Sequence, residues 1–152
     1  MKHLKYLKYL VHHKFWVMAA CLPTPSLWWR GIIVHDLSKL RPSEWAAYAE
    51  SFYGSRQNAE VQAAFDLAWL HHQKRNDHHW QWWVLREEDG GEKVLPMSTG
   101  AREEMLRDWC GASLAQGYGG WEAVQVWYEK NQTKMQLHPS TRQAVVAFLA
   151  AR

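Results

Sequence analysis

The chain has 152 residues, with eleven tryptophans, two cysteines and a formal charge of +3. That is one domain's worth and long enough to bury a core, while two cysteines exclude a disulfide framework and a Cys-x-x-Cys metal knuckle and point to a reducing, cytoplasmic interior. The mild charge gives no strong nucleic-acid signal, and no uncharged apolar run approaches the ~20 residues of a membrane span, so no membrane partner is expected.

Taken in chain order, the pattern is helical throughout. Residues 3–20 predict a first, basic helix carrying Lys5, Lys8 and Lys14, ended by Leu22-Pro23-Thr24-Pro25. Within it Met18-Ala19-Ala20-Cys21 has the outline of a lipoprotein cleavage box, but His12, His13 and Lys14 interrupt the apolar stretch such a signal needs. A short helix over 27–37 is expected to carry His35 and Asp36. Pro42-Ser43 opens a third helix running to Gly54, and a fourth spans 58–75. Asn76-Asp77 either breaks that helix or caps a following one that reaches Trp83. After a loop with Asp89-Gly90-Gly91 and Pro96, helices follow over 100–116, 120–131 and 140–151. Nothing alternates with period two for long, so little or no sheet is expected. The expected fold is a single all-α domain over residues 1–152, with about six to eight helices.

The histidines are concentrated. Eight of the nine precede residue 80, as His3, His12-His13, His35, His71-His72 and His78-His79. Imidazole is costly to bury unless its nitrogens find partners, so several of these should converge. Helical phase puts His13 on the apolar stripe of Tyr6, Leu10 and Val17, and His12 with Lys5 and Lys8. In the fourth helix His72 continues Val61, Phe65 and Ala68, whereas His71 continues Ala64 and Leu67. Both are inward candidates, and so are His78 and His79.

The stretch from Gly31 to Lys39 is an apolar run ending in His35-Asp36, which offers one nitrogen and one oxygen ligand to a divalent cation. A late helical stripe of Ala101, Met105, Asp108, Ala112 and Ala115 contains one acid. A buried carboxylate there needs a metal, an arginine such as Arg107, or a hydrogen-bonding partner such as a tryptophan indole.

A helical histidine, then His-Asp about twenty residues on, then a distant aspartate on a late helix resembles the HD superfamily of metal-dependent phosphohydrolases. The resemblance implies that His13, His35, Asp36 and Asp108 hold a divalent ion. The text His35-Asp36-Leu37-Ser38-Lys39, the block Ala68-Trp69-Leu70-His71-His72 with Asn76 and His78-His79-Trp80, and Met105 to Trp109 also resemble a small HD-like family of bacteria and their phages. That likeness extends to Trp127-Tyr128 and Leu137.

The chemistry so implied is activation of water by the metal and attack on a phosphoryl group. Four protein ligands leave open positions on six-coordinate Mn, Fe, Co, Ni or Mg, whereas tetrahedral Zn would be closed. His72, with His78 or His79, offers a second metal site or donors to phosphate. Lys39, one turn beyond Asp36, suits a phosphate contact, and His71 is a further substrate-binding candidate. Ser38 and Glu44 read as helix-boundary groups.

The function expected is hydrolysis of a nucleotide or related small phosphorylated molecule. Alternatives are a cyclic-nucleotide phosphodiesterase, as a phage might use against host defence, an HD-like di-iron oxygenase, and an inactive metal-binding module. Homo-oligomerisation is left open.

Overall fold

A computed structural model describes residues 1–152. Six α-helices carry the architecture: α1 (Lys2–Cys21), α2 (Pro42–Tyr53), α3 (Ala59–Arg75), α4 (Thr99–Ala115), α5 (Trp121–Asn131) and α6 (Pro139–Ala150). Their starts follow local chemistry. Pro42 and Pro139 sit in the first turns of α2 and α6, where the missing N–H costs nothing. Asn58 caps α3 by accepting from the Glu60 N–H at 2.7 Å, and Ser98 caps α4 by accepting from Ala101 at 3.2 Å.

The connection between α1 and α2 departs from expectation. In place of one helix over 27–37 the chain makes a 3₁₀ turn at Pro25–Leu27, a π-helical turn at Trp28–Val34, and a second 3₁₀ turn at Leu37–Leu40. His35 and Asp36 lie at the joint between the last two. Asp77 does not open a new α-helix either, since only a 3₁₀ turn at Trp80–Trp83 follows. The loop beyond it holds a small antiparallel hairpin, β1 (Val84–Arg86) paired with β2 (Glu92–Val94) through Val84↔Val94 and Leu85↔Lys93. Two three-residue strands are too short for an alternating pattern to register in sequence. Gly90, at φ +89°, makes the turn.

Packing gives two main apolar regions and a third, small cluster of Val17, Cys21 and Leu27 at the end of α1. Of the main two, one gathers Met105, Leu106, Cys110, Val124, Tyr128, Val145 and Leu149 from α4, α5 and α6; the other holds Tyr6, Tyr48, Ala49 and Ala68 from α1, α2 and α3. Each fully buried large side chain contributes about 1.5–3 kcal/mol. The late helix is buried around most of its circumference, because α1 packs on one side and α5 and α6 on the other. Its buried set includes Glu104, Leu106, Arg107, Cys110 and Gly111, a wider arc than the expected stripe, and Ala112 and Ala115 are only half-buried.

Helices α1 and α4 approach most closely where Gly111 meets Val17. A Cβ at Gly111 would lie 2.4 Å from Val17 Cγ2 and 2.7 Å from the Val17 backbone nitrogen. One turn back on each helix stand His13 and Asp108, so this contact sets their spacing. Gly111→Ala is expected to cost roughly 1–3 kcal/mol by overpacking and to lower the melting temperature by several degrees. Thermal unfolding followed by circular dichroism checks this, and an unchanged midpoint would show that the helices can separate freely.

Candidate metal centre

Four elements deliver polar side chains to one buried place. Helix α1 supplies His13 from its inward stripe, the joint after the π turn supplies His35 and Asp36, α3 with its trailing turn supplies His72, His78 and His79, and α4 supplies Asp108. The joint is strained: Asp36 has φ +59° and is the only non-glycine residue with positive φ. The surrounding bonds hold it. His35 N–H donates to the Arg30 carbonyl at 2.7 Å, and Lys14 Nζ donates to the carbonyls of His35 at 2.8 Å and Ile33 at 3.2 Å. The left-handed turn lets both adjacent side chains point the same way, which a continuous helix would forbid by placing them 100° apart.

The first grouping is His13, His35, Asp36 and Asp108. His13 Nε2 lies 3.1 Å from Asp108 Oδ1, 3.4 Å from Asp36 Oδ2 and 3.4 Å from His35 Nε2. His35 Nε2 lies 3.3 Å from Asp108 Oδ1 and 3.5 Å from Asp36 Oδ2. Neighbouring ligands bound at about 2.0–2.2 Å to one divalent ion are spaced this way. The second grouping is built on the other oxygen of the same carboxylate. Asp36 Oδ1 is 3.2 Å from His72 Nε2 and 3.7 Å from His78 Nε2, and the His79 ring centroid is 4.7 Å from that of His72 and 4.3 Å from that of His78.

Carboxylates behind the rings decide which nitrogen faces inward. Glu104 Oε1 takes the Nδ1 side of both His35 (3.0 Å) and His78 (3.2 Å), while Glu44 Oε2 takes that of His72 (3.0 Å). With Nδ1 as donor, Nε2 is the nitrogen left facing the centre, and it would offer a lone pair there once a metal displaces any proton on it, the arrangement found behind metal-binding imidazoles. Glu44 in turn receives Ser38 Oγ at 2.9 Å and Arg75 Nη1 at 2.5 Å, and Arg30 Nε reaches Glu104 Oε2 at 2.9 Å. Glu44 and Ser38 are therefore not bland helix-boundary groups. Glu104 was legible in principle, since it precedes Asp108 by one helical turn on the same face.

Several buried atoms are left without any hydrogen-bond partner: Asp36 Oδ1 and the Nε2 atoms of His72, His78 and His79. An unpartnered buried polar atom is costly, and these converge on one point. Imidazole nitrogens and carboxylate oxygens crowded together out of water suit a cation, so the ligand set fits one or two divalent metal ions of the borderline kind that imidazole and carboxylate bind.

Charge is distributed accordingly. Burial opposes protonation of His35, but Asp36, Asp108 and Glu104 outweigh it and raise the imidazole to about 10. Burial likewise works against ionisation of Asp36 and Asp108, yet His35 and Lys39 for the first, and His13 and His35 for the second, hold both carboxyls well below the usual range. His79 is pushed far down by burial and by His78 and His72, which keeps it a neutral ligand. Lys39 is ion-paired to Asp36 Oδ2, so its ammonium lies against the centre instead of reaching freely for solvent. His71 is not brought in: half-buried on α3, it belongs to neither grouping, because the helix turns its neighbour His72 inward. His12 is exposed and accepts from the Trp16 indole at 2.9 Å.

A stability profile follows from these directions. His35, raised from 6.5 to about 10, contributes stability that is complete below its unfolded value and is lost as pH rises through about 10. Asp36 and Asp108, both lowered, contribute stability present above 3.8 and lost as pH falls through their folded values. Chelator-treated protein is therefore expected to melt progressively lower from neutral pH toward about pH 10, and metal binding at neutral pH to release protons, measurable by calorimetry in buffers of different ionisation enthalpy. Binding without proton release would show that His35 is already neutral.

No curated protein and no solved structure matches this chain. A family model does match, over residues 2–151, and the chain thus belongs to a family of unknown function (DUF5662).

Proposed function

We propose that the protein is a metal-dependent phosphohydrolase acting on a nucleotide or another small phosphorylated molecule. The observation that carries the reading is the convergence of His13, His35, Asp36 and Asp108, with the Nε2 edge of His35 turned inward by Glu104 behind it. The order of those residues in the chain is that of the HD phosphohydrolases they resemble, and a strained, buried, carboxylate-braced joint at the His-Asp pair suits a catalytic centre.

A divalent ion bound here supplies an activated water and neutralises charge on the phosphoryl oxygens. The chain's own residues do the rest. His13, His35, Asp36 and Asp108 would hold the first ion. Asp36, His72, His78 and His79 would hold a second. Lys39 keeps a permanent positive charge beside Asp36, where its ammonium would meet a phosphoryl oxygen of a bound substrate. Glu104 and Glu44 fix the tautomers and absorb the partial charge that develops on the rings. A second reading, an HD-like di-iron oxygenase, draws on the shared Asp36 and the histidine-rich second grouping.

Elemental analysis of the purified protein, followed by a screen of nucleoside mono-, di- and triphosphates and cyclic nucleotides for phosphate or nucleoside release, tests the reading. Metal with no phosphate release from any of them, and two irons per chain, would favour the oxygenase. Asp36→Ala is expected to abolish turnover and lower bound metal, while His12→Ala leaves both intact. His72→Ala and His79→Ala should each cut turnover by roughly 10²-fold with the first metal retained. Glu104→Gln is expected to weaken metal affinity about 10- to 100-fold, read by competition with a chromogenic chelator.

A further inference from the structure

The outward side of α1 is apolar and uncovered. Its inward stripe of Tyr6, Leu10, His13, Val17 and Cys21 is committed to the core and the metal centre. A second stripe, Leu4, Leu7, Val11, Phe15 and Leu22, keeps helical register along the opposite flank. All five side chains are exposed, Val11 to 62% and Phe15 to 50%. Just beyond the end of the helix Trp28 and Trp29 are also exposed, Trp29 to 69%. Single exposed apolar residues are ordinary, but a line of them along a helix about 30 Å long marks a surface that something covers.

Charge selects the occupant. From Met1 to His35 the chain has four lysines and one arginine and no acidic side chain. Lys2 is engaged by Glu50, Lys14 by the carbonyls of Ile33 and His35, and Arg30 by Asp77 and Glu104. Lys5 and Lys8 are exposed, and helical phase sets them with His12 along one edge of the apolar stripe. A second copy meeting this face with its own α1 face would offer apolar contact but no acid for the lysines. A nucleic acid would offer phosphates but nothing for Leu4, Val11 and Phe15. A bilayer with anionic headgroups offers both, and tryptophan favours the headgroup level.

We propose that the outward face of α1, continued by Trp28 and Trp29, docks the protein on the surface of an anionic membrane. No helix is long and apolar enough to cross one, and a helix lying in the interface needs no such length.

Co-sedimentation of the full chain with vesicles of phosphatidylcholine alone, and of phosphatidylcholine with phosphatidylglycerol, tests this. Binding is expected to the anionic vesicles only and should weaken with salt. The double variants Val11→Ser with Phe15→Ser, and Lys5→Ala with Lys8→Ala, are each expected to lower binding roughly 10-fold or more, with unchanged melting temperatures because these side chains are outside the core. Absence of binding to either vesicle, or equal binding by the variants, would overturn the proposal. So would a stable dimer in sedimentation velocity that Val11→Ser with Phe15→Ser dissolves, which would give the face to a second copy.

Discussion

A carboxylate taken out of water costs several kcal/mol unless cations or hydrogen-bond donors replace its hydration, and Asp36 stands at the centre of this protein only 4% exposed. One of its oxygens meets His13, His35 and Lys39; the other meets His72 and His78. Each of those groups comes from a different turn or helix, so the carboxylate ties α1, the irregular joint, α3 and its trailing turn together. Removing it would leave buried imidazoles and a buried ammonium facing one another, a more expensive state than the one it relieves.

The same requirement propagates outward. The inward imidazole edges stay lone-pair acceptors only while their other edges find acceptors of their own, and Glu104 and Glu44 provide these from α4 and α2. Those carboxylates are also buried and are balanced by Arg30 and Arg75, whose side chains reach toward solvent. Alternating layers of negative and positive groups thus run from the centre to the surface. Such a layered arrangement is preorganised, which is what binding a cation or stabilising a developing charge demands. The apolar clusters on either side exclude water and make every one of these interactions stronger than it would be in solvent.

Close backbone contacts supply the precision. Gly111 admits Val17, and at Gly31 a Cβ would lie 2.2 Å from Cys21 Sγ, so both α4 and the π turn sit hard against α1. Without those two glycines α4 and the π turn would stand further from α1, and the polar groups could not reach the 3.1–3.5 Å separations they have. Strain at Asp36 is tolerated because the neighbouring hydrogen bonds, from Lys14 and from His35 to Arg30, outnumber the one unfavourable dihedral.

Much of this was present in residue order. The six α-helices follow from prolines, caps and apolar spacing, and the phase of α1 separates His13 from His12 without any tertiary information. Asp108 stood out because it interrupts an apolar face. Other features depended on contacts between segments distant in the chain. Periodicity does not distinguish His71 from His72, since both lie on partly apolar arcs, and only the packing of α3 against α2 and the Asp36 joint turns His72 inward. Glu44 carries no local signature, and Glu104 only its place one turn before Asp108, because an acid in a helix is ordinarily solvated and becomes structural only when an imidazole from another element is pressed against it. The break in the 27–37 segment likewise escaped the pattern of its residues, because a positive φ is uncommon even for an aspartate and is held here by the surrounding contacts. Local sequence therefore determined the helices and which faces carried unfavourable polar groups; the meeting of those groups, and the tautomers they adopt, was decided by long-range packing, since electrostatic complementarity exists only between groups that the fold has already brought within a few ångströms.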